Sequence, residues 1–417
     1  MSARPTDVLL ARARHVLPNG VFGHRRSFAF VDGAAIGIPP DYPHFVESAS
    51  GCRFRDADGR TFIDYLCGYG PMIAGYGNAR IDAAFVEEQR RGVCYSFPAT
   101  VEIELAEHLV ARHVGMAFSA FSLNGTDAIS LALAIARDHT GRAPLVIAEG
   151  AYHGNLPAVS TGPGRIDADR ASTRVVPWGD EDALRVALEH GGPAAAVLLC
   201  PYDQRVGAPN RLPEPGYWSA VRRLCDATGT LLILDDVRSG FRLHPRGSAA
   251  RFDISPDLIC VSKAMANGYP IAATLGRTAA RESAERVFVT GTFWSFAPAQ
   301  AAALATLRLL DESDACAHLD TMGRRLTDGL RERALAHGFS LSISGPSALP
   351  LVLFEDDPGL RLARGFARAM AQRGSLIHPT HNWFLSLAHG PDDIDATLAQ
   401  AEDALRDLRT HGPDVGG

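Results

Sequence analysis

The 417-residue sequence predicts an α/β protein in which a mostly parallel sheet lies between helices and a smaller α+β domain follows. Three observations predict it. Short, wholly apolar runs alternate with helical patterns between residues 145 and 276. The alternation stops after Gly291, where two long Ala/Leu/Arg helices take over. No Gly/Ser linker, internal repeat or low-complexity tract divides the chain. A strand must be apolar on both faces when helices cover both sides of its sheet, so the first observation carries the parallel topology.

The elements follow in order. Residues 1–50, rich in Pro and Gly after His15, read as an N-terminal arm or cover. Residues 51–295 read as the large domain and 296–417 as the small one. Leu145–Ala148, Ala195–Cys200, Leu231–Leu234, Leu258–Val261 and Ala272–Gly276 are the candidate strands. Ile129–Arg137, Glu181–Glu189 and Tyr217–Thr228 are the helices between them. Beyond Gly291 come helices near Ala299–Leu310 and Ala317–Ala336, then strands Ser340–Ile343 and Leu351–Phe354. Such sheets place their ligand at the carboxyl ends of the strands.

Composition excludes several classes. A net charge of −6 leaves no basic footprint for nucleic acid. No basic helix-turn-helix opens the chain, which argues against a ligand-sensing regulator. No apolar stretch approaches the roughly 20 residues of a membrane span, and residues 1–20 hold no uninterrupted apolar leader. Seven scattered cysteines without a C-x-x-C spacing fit neither a disulfide framework nor a zinc site. The expectation is a soluble, cytoplasmic protein.

Of the 41 basic residues, one is lysine: Lys263. A solvated surface charge tolerates either residue, so drift toward arginine is free there. It is not free where an amine must lose its proton and attack a carbonyl, because guanidinium does not deprotonate. Composition alone leaves open that Lys263 is merely the last one left. Its neighbourhood decides. The run Leu231-Leu-Ile-Leu-Asp235-Asp236 is a buried strand ending in two carboxylates, and Lys263 comes 28 residues after Asp235, directly beyond the next strand. Adjacent parallel strands would bring amine and carboxylate to one sheet edge. That pair suits pyridoxal phosphate, where lysine forms the Schiff base and aspartate keeps the pyridine nitrogen protonated. A loop acid or helix cap is the alternative for Asp235 taken by itself. Asn124-Gly125-Thr126 before a helix offers an anion cradle of backbone N–H groups, and alone is equally an N-cap. Tyr152-His153 could offer an aromatic face to a planar ring or simply pack.

In order, these stretches resemble the class III pyridoxal-phosphate-dependent aminotransferases, and most closely the glutamate-1-semialdehyde 2,1-aminomutase-like proteins among them. The resemblance runs from Leu17-Pro-Asn-Gly-Val to Ser386-Leu-Ala-His389. It rests on Phe54-Arg-Asp-Ala-Asp-Gly-Arg-Thr-Phe-Ile-Asp64, Leu123-Asn-Gly-Thr-Asp-Ala, Ala151-Tyr-His-Gly, Leu234-Asp-Asp-Val-Arg-Ser-Gly-Phe-Arg242 and Ser262-Lys-Ala-Met-Ala-Asn-Gly-Tyr-Pro. The resemblance implies fold type I with a seven-stranded sheet. It also implies pyridoxal 5'-phosphate as cofactor, small amino and keto or aldehyde substrates, and a homodimer. Lys263 would carry the cofactor and shuttle the proton, and Asp235 would pair with the ring nitrogen. Val237 would pack beneath the ring and Tyr152, beside His153, above it. Asn124, Gly125 and Thr126 would hold the phosphate, joined by Thr292 of the neighbouring subunit. Arg26 falls where the aminomutases bind a substrate carboxylate, though it is equally one surface arginine among forty.

The substrate side departs from the family pattern. Cys200-Pro201 replaces an acid-proline pair, Gln204-Arg205 a Gly-Asn, Arg238 a Gln or Met, and His381 an acid. The expectation is therefore an aminotransferase of biosynthetic type acting on a different carboxylated or polar substrate, with Arg238 as a second carboxylate partner. An intramolecular aminomutase is the alternative. A racemase or decarboxylase would share the same first step.

Overall fold

The computed structural model describes residues 3–21, 27–31, 34–39, 41–160 and 164–413. A hairpin of β1 (Ser27–Val31) and β2 (Ala34–Gly37) follows a helix at Pro5–Val16. Then come β3 (Val46–Ser50), β4 (Arg53–Asp56) and β5 (Thr61–Asp64). The central sheet is built from β6 (Phe118–Ser122), β7 (Leu145–Ala148), β8 (Thr173–Val176), β9 (Ala196–Leu199), β10 (Leu231–Asp235), β11 (Leu258–Val261) and β12 (Ala272–Gly276). Beyond it lie β13 (Leu341–Ser344), β14 (Leu351–Phe354) and β15 (Ser375–Leu376).

The seven-stranded sheet has the order β6-β12-β11-β10-β9-β7-β8. Its β11-β10-β9-β7-β8 stretch is parallel, and β12 runs antiparallel to both of its neighbours. The mostly parallel reading holds, and the central strands β7, β9 and β11 are buried at every position. Two strands were absent from the sequence reading, β6 and β8. They are the two edges of the sheet, where one flank lacks a neighbour, and their partly exposed residues break the apolar run.

Helix Gly125–Thr140 starts four residues earlier than its apolar pattern. Asn124 caps it, accepting from the Asp127 N–H at 3.2 Å, and Gly141 ends it in the left-handed region at φ 66°. Its Ala128, Ala132 and Ala136 are buried, and these small side chains let the helix lie close on β10–β12. Glu181–Glu189 and Tyr217–Thr228 match their expected bounds. After Gly291, helices Ala297–Glu312 and Ala315–Ala336 lead to β13 and β14. The short β15 then returns to pair in parallel with β5, closing a four-stranded sheet in the order β15-β5-β4-β3. The arm is thus more than a cover: β3 lies in the same sheet as β15.

Candidate active site

At the carboxyl edge of the central sheet, Asp235 ends β10 opposite Cys260 of the parallel β11, and Lys263 follows two residues after β11 ends. Lys263 has a positive φ of 43°, which costs a non-glycine residue roughly 1–3 kcal/mol and is a conformation that clusters at functional sites. The surroundings hold it there. Ser262 Oγ donates to the Ile271 carbonyl at 2.8 Å. Asn267, also left-handed, accepts from the Ala74 N–H and donates to the Gly75 carbonyl, each at 2.8 Å. Loss of hydration, seconded by the Arg238 guanidinium and opposed by Asp235, pushes the Lys263 amine down to about 8.

Asp235 is buried and each of its oxygens accepts one hydrogen bond. His153 Nδ1 donates to its Oδ2 at 2.8 Å, and the Val237 N–H donates to Oδ1 at 3.1 Å. His153 is buried as well, and its Nε2 has no partner. The neighbouring Asp236 points elsewhere. It accepts from the Ser248 N–H and hydroxyl and from Ser239 Oγ, and burial pushes it up to about 6. Only one of the two carboxylates faces the site.

Asp235, His153, Val237 and Lys263 line a cavity of about 430 Å³, together with Asn124, Gly125, Thr126, Tyr152, Cys200 and Arg238. The floor is glycine-dependent. A Cβ on Gly125 would lie 2.9 Å from Cγ1 of Val237. One on Gly154, at φ 86°, would lie 2.6 Å from Oγ1 of Thr126. The helix start at Gly125 presents N–H groups that have no carbonyl one turn back. Thr126 Oγ1 accepts from the Asn155 N–H at 3.1 Å. Asn124 spends its amide on the cap, with its Nδ2 donating to Asp127 at 3.0 Å. Tyr152 stands at the cavity wall with 66% of its surface exposed.

Arg238 donates from one terminal nitrogen to the Gln204 carbonyl at 2.9 Å and to Asn382 Oδ1 at 3.1 Å, both neutral acceptors. Asn382 is fixed in turn by Asn210 Oδ1 and the Leu349 carbonyl. Nothing in the sequence marked Asn382, which lies 144 residues from its partner. Arg205 and Arg211 do not line the cavity, and each pairs at 3.0 Å with buried Asp203, which does. His381 stays neutral, its basicity lowered by burial and by Arg238, with its ring edge-on to Tyr69 at 5.2 Å. Thr292 is exposed and off the cavity, and its carbonyl accepts from Cys94 Sγ at 3.3 Å. Arg26 lies outside the described residues.

The aminotransferase class III profile matches residues 38–164 and 180–390. The chain is a class III aminotransferase. It is 38% identical over 416 residues to an aminopentol aminotransferase of Sphingopyxis macrogoltabida, covering 97% of this chain and 96% of that one. A glutamate-1-semialdehyde 2,1-aminomutase of Desulfitobacterium hafniense is 32% identical, with coverages of 95% and 97%. Among solved structures, the FumI protein of Sphingopyxis sp. MTA144, in its PLP internal aldimine form, superposes with a TM-score of 0.94. It is 37% identical and covers 100% of this chain and 99% of that one. The fold is therefore type I of the pyridoxal-phosphate enzymes, and the protein is a pyridoxal-phosphate-dependent aminotransferase acting on small molecules. The cavity fits that cofactor: it combines the chain's one lysine amine, a fixed carboxylate, a helix start and a glycine floor. Among the described residues no helix is long and apolar enough to cross a membrane.

Proposed function

We propose that this aminotransferase works through Lys263 as its one reactive amine, moving an amino group between separate donor and acceptor molecules. One observation carries the reading: the amine of Lys263 and the carboxylate of Asp235 converge on a single cavity from adjacent parallel strands. Lys263 holds the cofactor and then moves the proton, with Asp235 keeping a proton at the ring nitrogen. His153 orients Asp235, Val237 and Tyr152 bracket the ring, and Gly125 and Thr126, on the helix capped by Asn124, take the phosphate. Pyridoxal phosphate, when bound, supplies an aldehyde carbon for the amine and a ring that accepts the electron pair released at the substrate carbon. The amine of Lys263, poised near pH 8, would take the proton from the substrate carbon and deliver it to the carbon that was the cofactor's aldehyde.

Arg238 binds the carboxylate of the amino donor or keto acceptor. Its two bonds end on neutral groups, so its charge is uncommitted among the contacts described, and a planar guanidinium suits a carboxylate. Arg26 enters by resemblance as a second candidate. The other substrate is an amine, in keeping with the relative named for an aminopentol. Transfer between two molecules is favoured over an internal mutase because Cys200, Arg205, Arg238 and His381 depart from the aminomutase pattern.

The functional unit is a cytoplasmic homodimer in which Thr292 reaches the partner's phosphate. Phe97, Phe288 and Phe293, exposed by 81%, 92% and 60%, lie close in sequence to Thr292 or to its Cys94 contact, and exposed aromatic side chains suit an interface. Seven free cysteines suit a reducing compartment. The chain divides into an arm at 1–50, a large domain at 51–295 and a small domain at 296–417, with β5 and β15 pairing across the last two.

Borohydride reduction of the holoenzyme should fix one cofactor per chain, on the Lys263 peptide, and Lys263→Ala should bind cofactor without covalent attachment and without turnover. Undiminished trapping in Lys263→Ala, other than at the N-terminal amine, would overturn the assignment. A single substrate given alone should stall after one half-reaction, whereas sustained conversion to an isomer would establish the mutase.

A further inference from the structure

A second cavity, of about 600 Å³, shares no wall residue with the cofactor site. It lies between helix Ala315–Ala336, the turn joining β13 to β14, and the segment that runs from Arg242 into the short helix Gly247–Arg251. Its walls carry four arginines, Arg242, Arg251, Arg324 and Arg331, against two acids, Asp320 and Asp328. Both acids are committed along their own helix. Arg324 pairs with Asp320 and Arg331 with Asp328, each at 2.8 Å, and Ser347 Oγ also donates to Asp320. Among the described residues neither Arg242 nor Arg251 has a carboxylate. Arg242 donates to the Leu385 and Gly70 carbonyls, and Arg251 lies over the Phe252 ring at 5.3 Å.

Arg242 is the unusual one. It is fully buried, it lies over the Phe384 ring at 5.3 Å, and its Nε has no partner. A guanidinium taken out of water without a counter-charge is costly, and two carbonyl dipoles with a ring face offset only part of that cost. Little solvent screens this charge, so it acts on the cavity more strongly than an exposed arginine would. Arg251 is exposed and offers a planar fork that can meet two oxygens of one anion. We propose that this cavity binds a small oxyanion carrying two negative charges, a phosphate monoester or a dicarboxylate, with Arg251 as its contact and Arg242 as the buried charge behind it. Two charges on the ligand match the two cations that the walls leave without an acid.

The same walls support the substrate side of the active site. Gly345 of the β13–β14 turn packs on Asn210, where an added Cβ would lie 3.1 Å from Oδ1. The Asn210 N–H donates to Ser344 Oγ at 2.9 Å, and its Oδ1 accepts from Asn382 Nδ2 at 2.7 Å. Asn382 also donates to the Leu349 carbonyl of that turn and accepts from Arg238. Arg242 in turn holds the Gly70 carbonyl, next to Pro71 in the cofactor cavity. An anion that draws on Arg242 and on this turn therefore acts on Arg238 through Asn382 and on Pro71 through Gly70. Occupancy of the second cavity thus changes the affinity for a carboxylated substrate. That coupling rests on the proposed role of Arg238, and the binding site itself does not.

The test is calorimetric titration of the holoenzyme with inorganic phosphate and, separately, with succinate, at constant ionic strength. One saturable site per chain is expected, and a preference for phosphate or for succinate identifies which of the two ligand types it takes. Arg251→Ala should weaken binding about tenfold, the loss of one charged contact at an exposed position. Ala317→Trp, on an exposed wall position, should abolish binding with the fold intact by circular dichroism. Arg238→Met should bind as the wild type does. Titrations that never saturate would overturn the site. So would binding that is lost in Arg238→Met and kept in Ala317→Trp, which would place the anion in the active site. Saturating phosphate should move KM for a carboxylated donor by roughly fivefold or more in the wild type and leave it unmoved in Ala317→Trp. Binding with no change in KM would overturn the coupling and keep the site. A carboxylated donor unaffected by Arg238→Met would overturn the Arg238 reading while anion binding stands.

Discussion

Arg238→Met removes one charge while keeping most of an unbranched apolar stem, and the structure gives that charge two separate effects. The first is on the substrate. A hydrogen-bonded contact to a charged group is worth about 1.5–3 kcal/mol, so kcat/KM for a carboxylated donor should fall roughly ten- to a hundredfold. The descarboxy analogue should change little, because Arg238 rests on Gln204 and Asn382 and on neither Asp235 nor the phosphate cradle. The second effect is on Lys263. Arg238 is the largest charge depressing that amine, after burial, so its removal should raise the midpoint from about 8 toward, though not to, the ordinary 10.5. The rate of cofactor capture by the apo-enzyme follows the unprotonated amine, so its pH profile should move to higher pH in the variant. Both measurements are made on one preparation, with circular dichroism as a check that the buried Asn382 network survives. Equal losses for donor and analogue, together with an unmoved pH midpoint, would refute the electrostatic account and reduce Arg238 to a tie between Gln204 and Asn382.

Other expectations follow from the same geometry. Gly125→Ala should push Val237 from its place and weaken cofactor retention by tenfold or more in equilibrium dialysis, while a Gly141→Ala control at the far end of that helix should not. Asp235→Asn should keep the cofactor on Lys263 yet lose most of the proton-transfer rate, read as a slowed half-reaction in stopped flow. If the protein is the homodimer proposed, Phe288→Asp should shift the mass measured by light scattering toward monomer and lower activity in parallel. Burial holds His113, His378 and His389 down to about 4 and His381 well below the ordinary value near 6.5, so these four histidines bind more protons in the unfolded chain than in the native one below that value, opposed by Asp236, which burial raises to about 6. Stability should therefore fall on balance as pH drops from 7 to 5, visible as a lower urea midpoint at pH 5 than at pH 7.

What was legible in the sequence was what local pattern encodes. The five interior strands were found because burial on both faces demands unbroken apolar runs. The two edge strands were not, because Thr173-Arg-Val-Val and Phe118-Ser-Ala-Phe-Ser are relieved of that demand by their position. The Asp235–Asp236 pair was read as two carboxylates at a strand end. Side chains alternate across a strand, so only one could face the ligand, and the partners of the other, Ser239 and Ser248, stabilise the turn behind it. His153 and Asn382 show the limit. Each holds a site residue through a contact 82 and 144 residues away in sequence, and no local periodicity carries that information.

Lys263 was legible for a different reason, one that composition supplied and the fold explains. In a chain where forty of the forty-one basic residues are arginine, an amine is expected where guanidinium fails. At residue 263 the requirement is a group that loses its proton near neutral pH, and burial beside Arg238 meets it by holding the amine near 8. Arginine in the same place would stay charged and could not attack a carbonyl. The neighbour that depresses Lys263 is itself one of the departures from the family pattern, at the position of a neutral Gln or Met. On the proposed assignment a single charge does two things at once: it would offer a carboxylate partner to the substrate, and it lowers the basicity of the Lys263 amine. The two effects would be coupled, because a carboxylate bound at Arg238 would offset its charge and let Lys263 regain basicity. On this reading Lys263 would be tied to the cofactor until the substrate's own amine displaces it, so the gain in basicity would come when the freed amine has to take a proton.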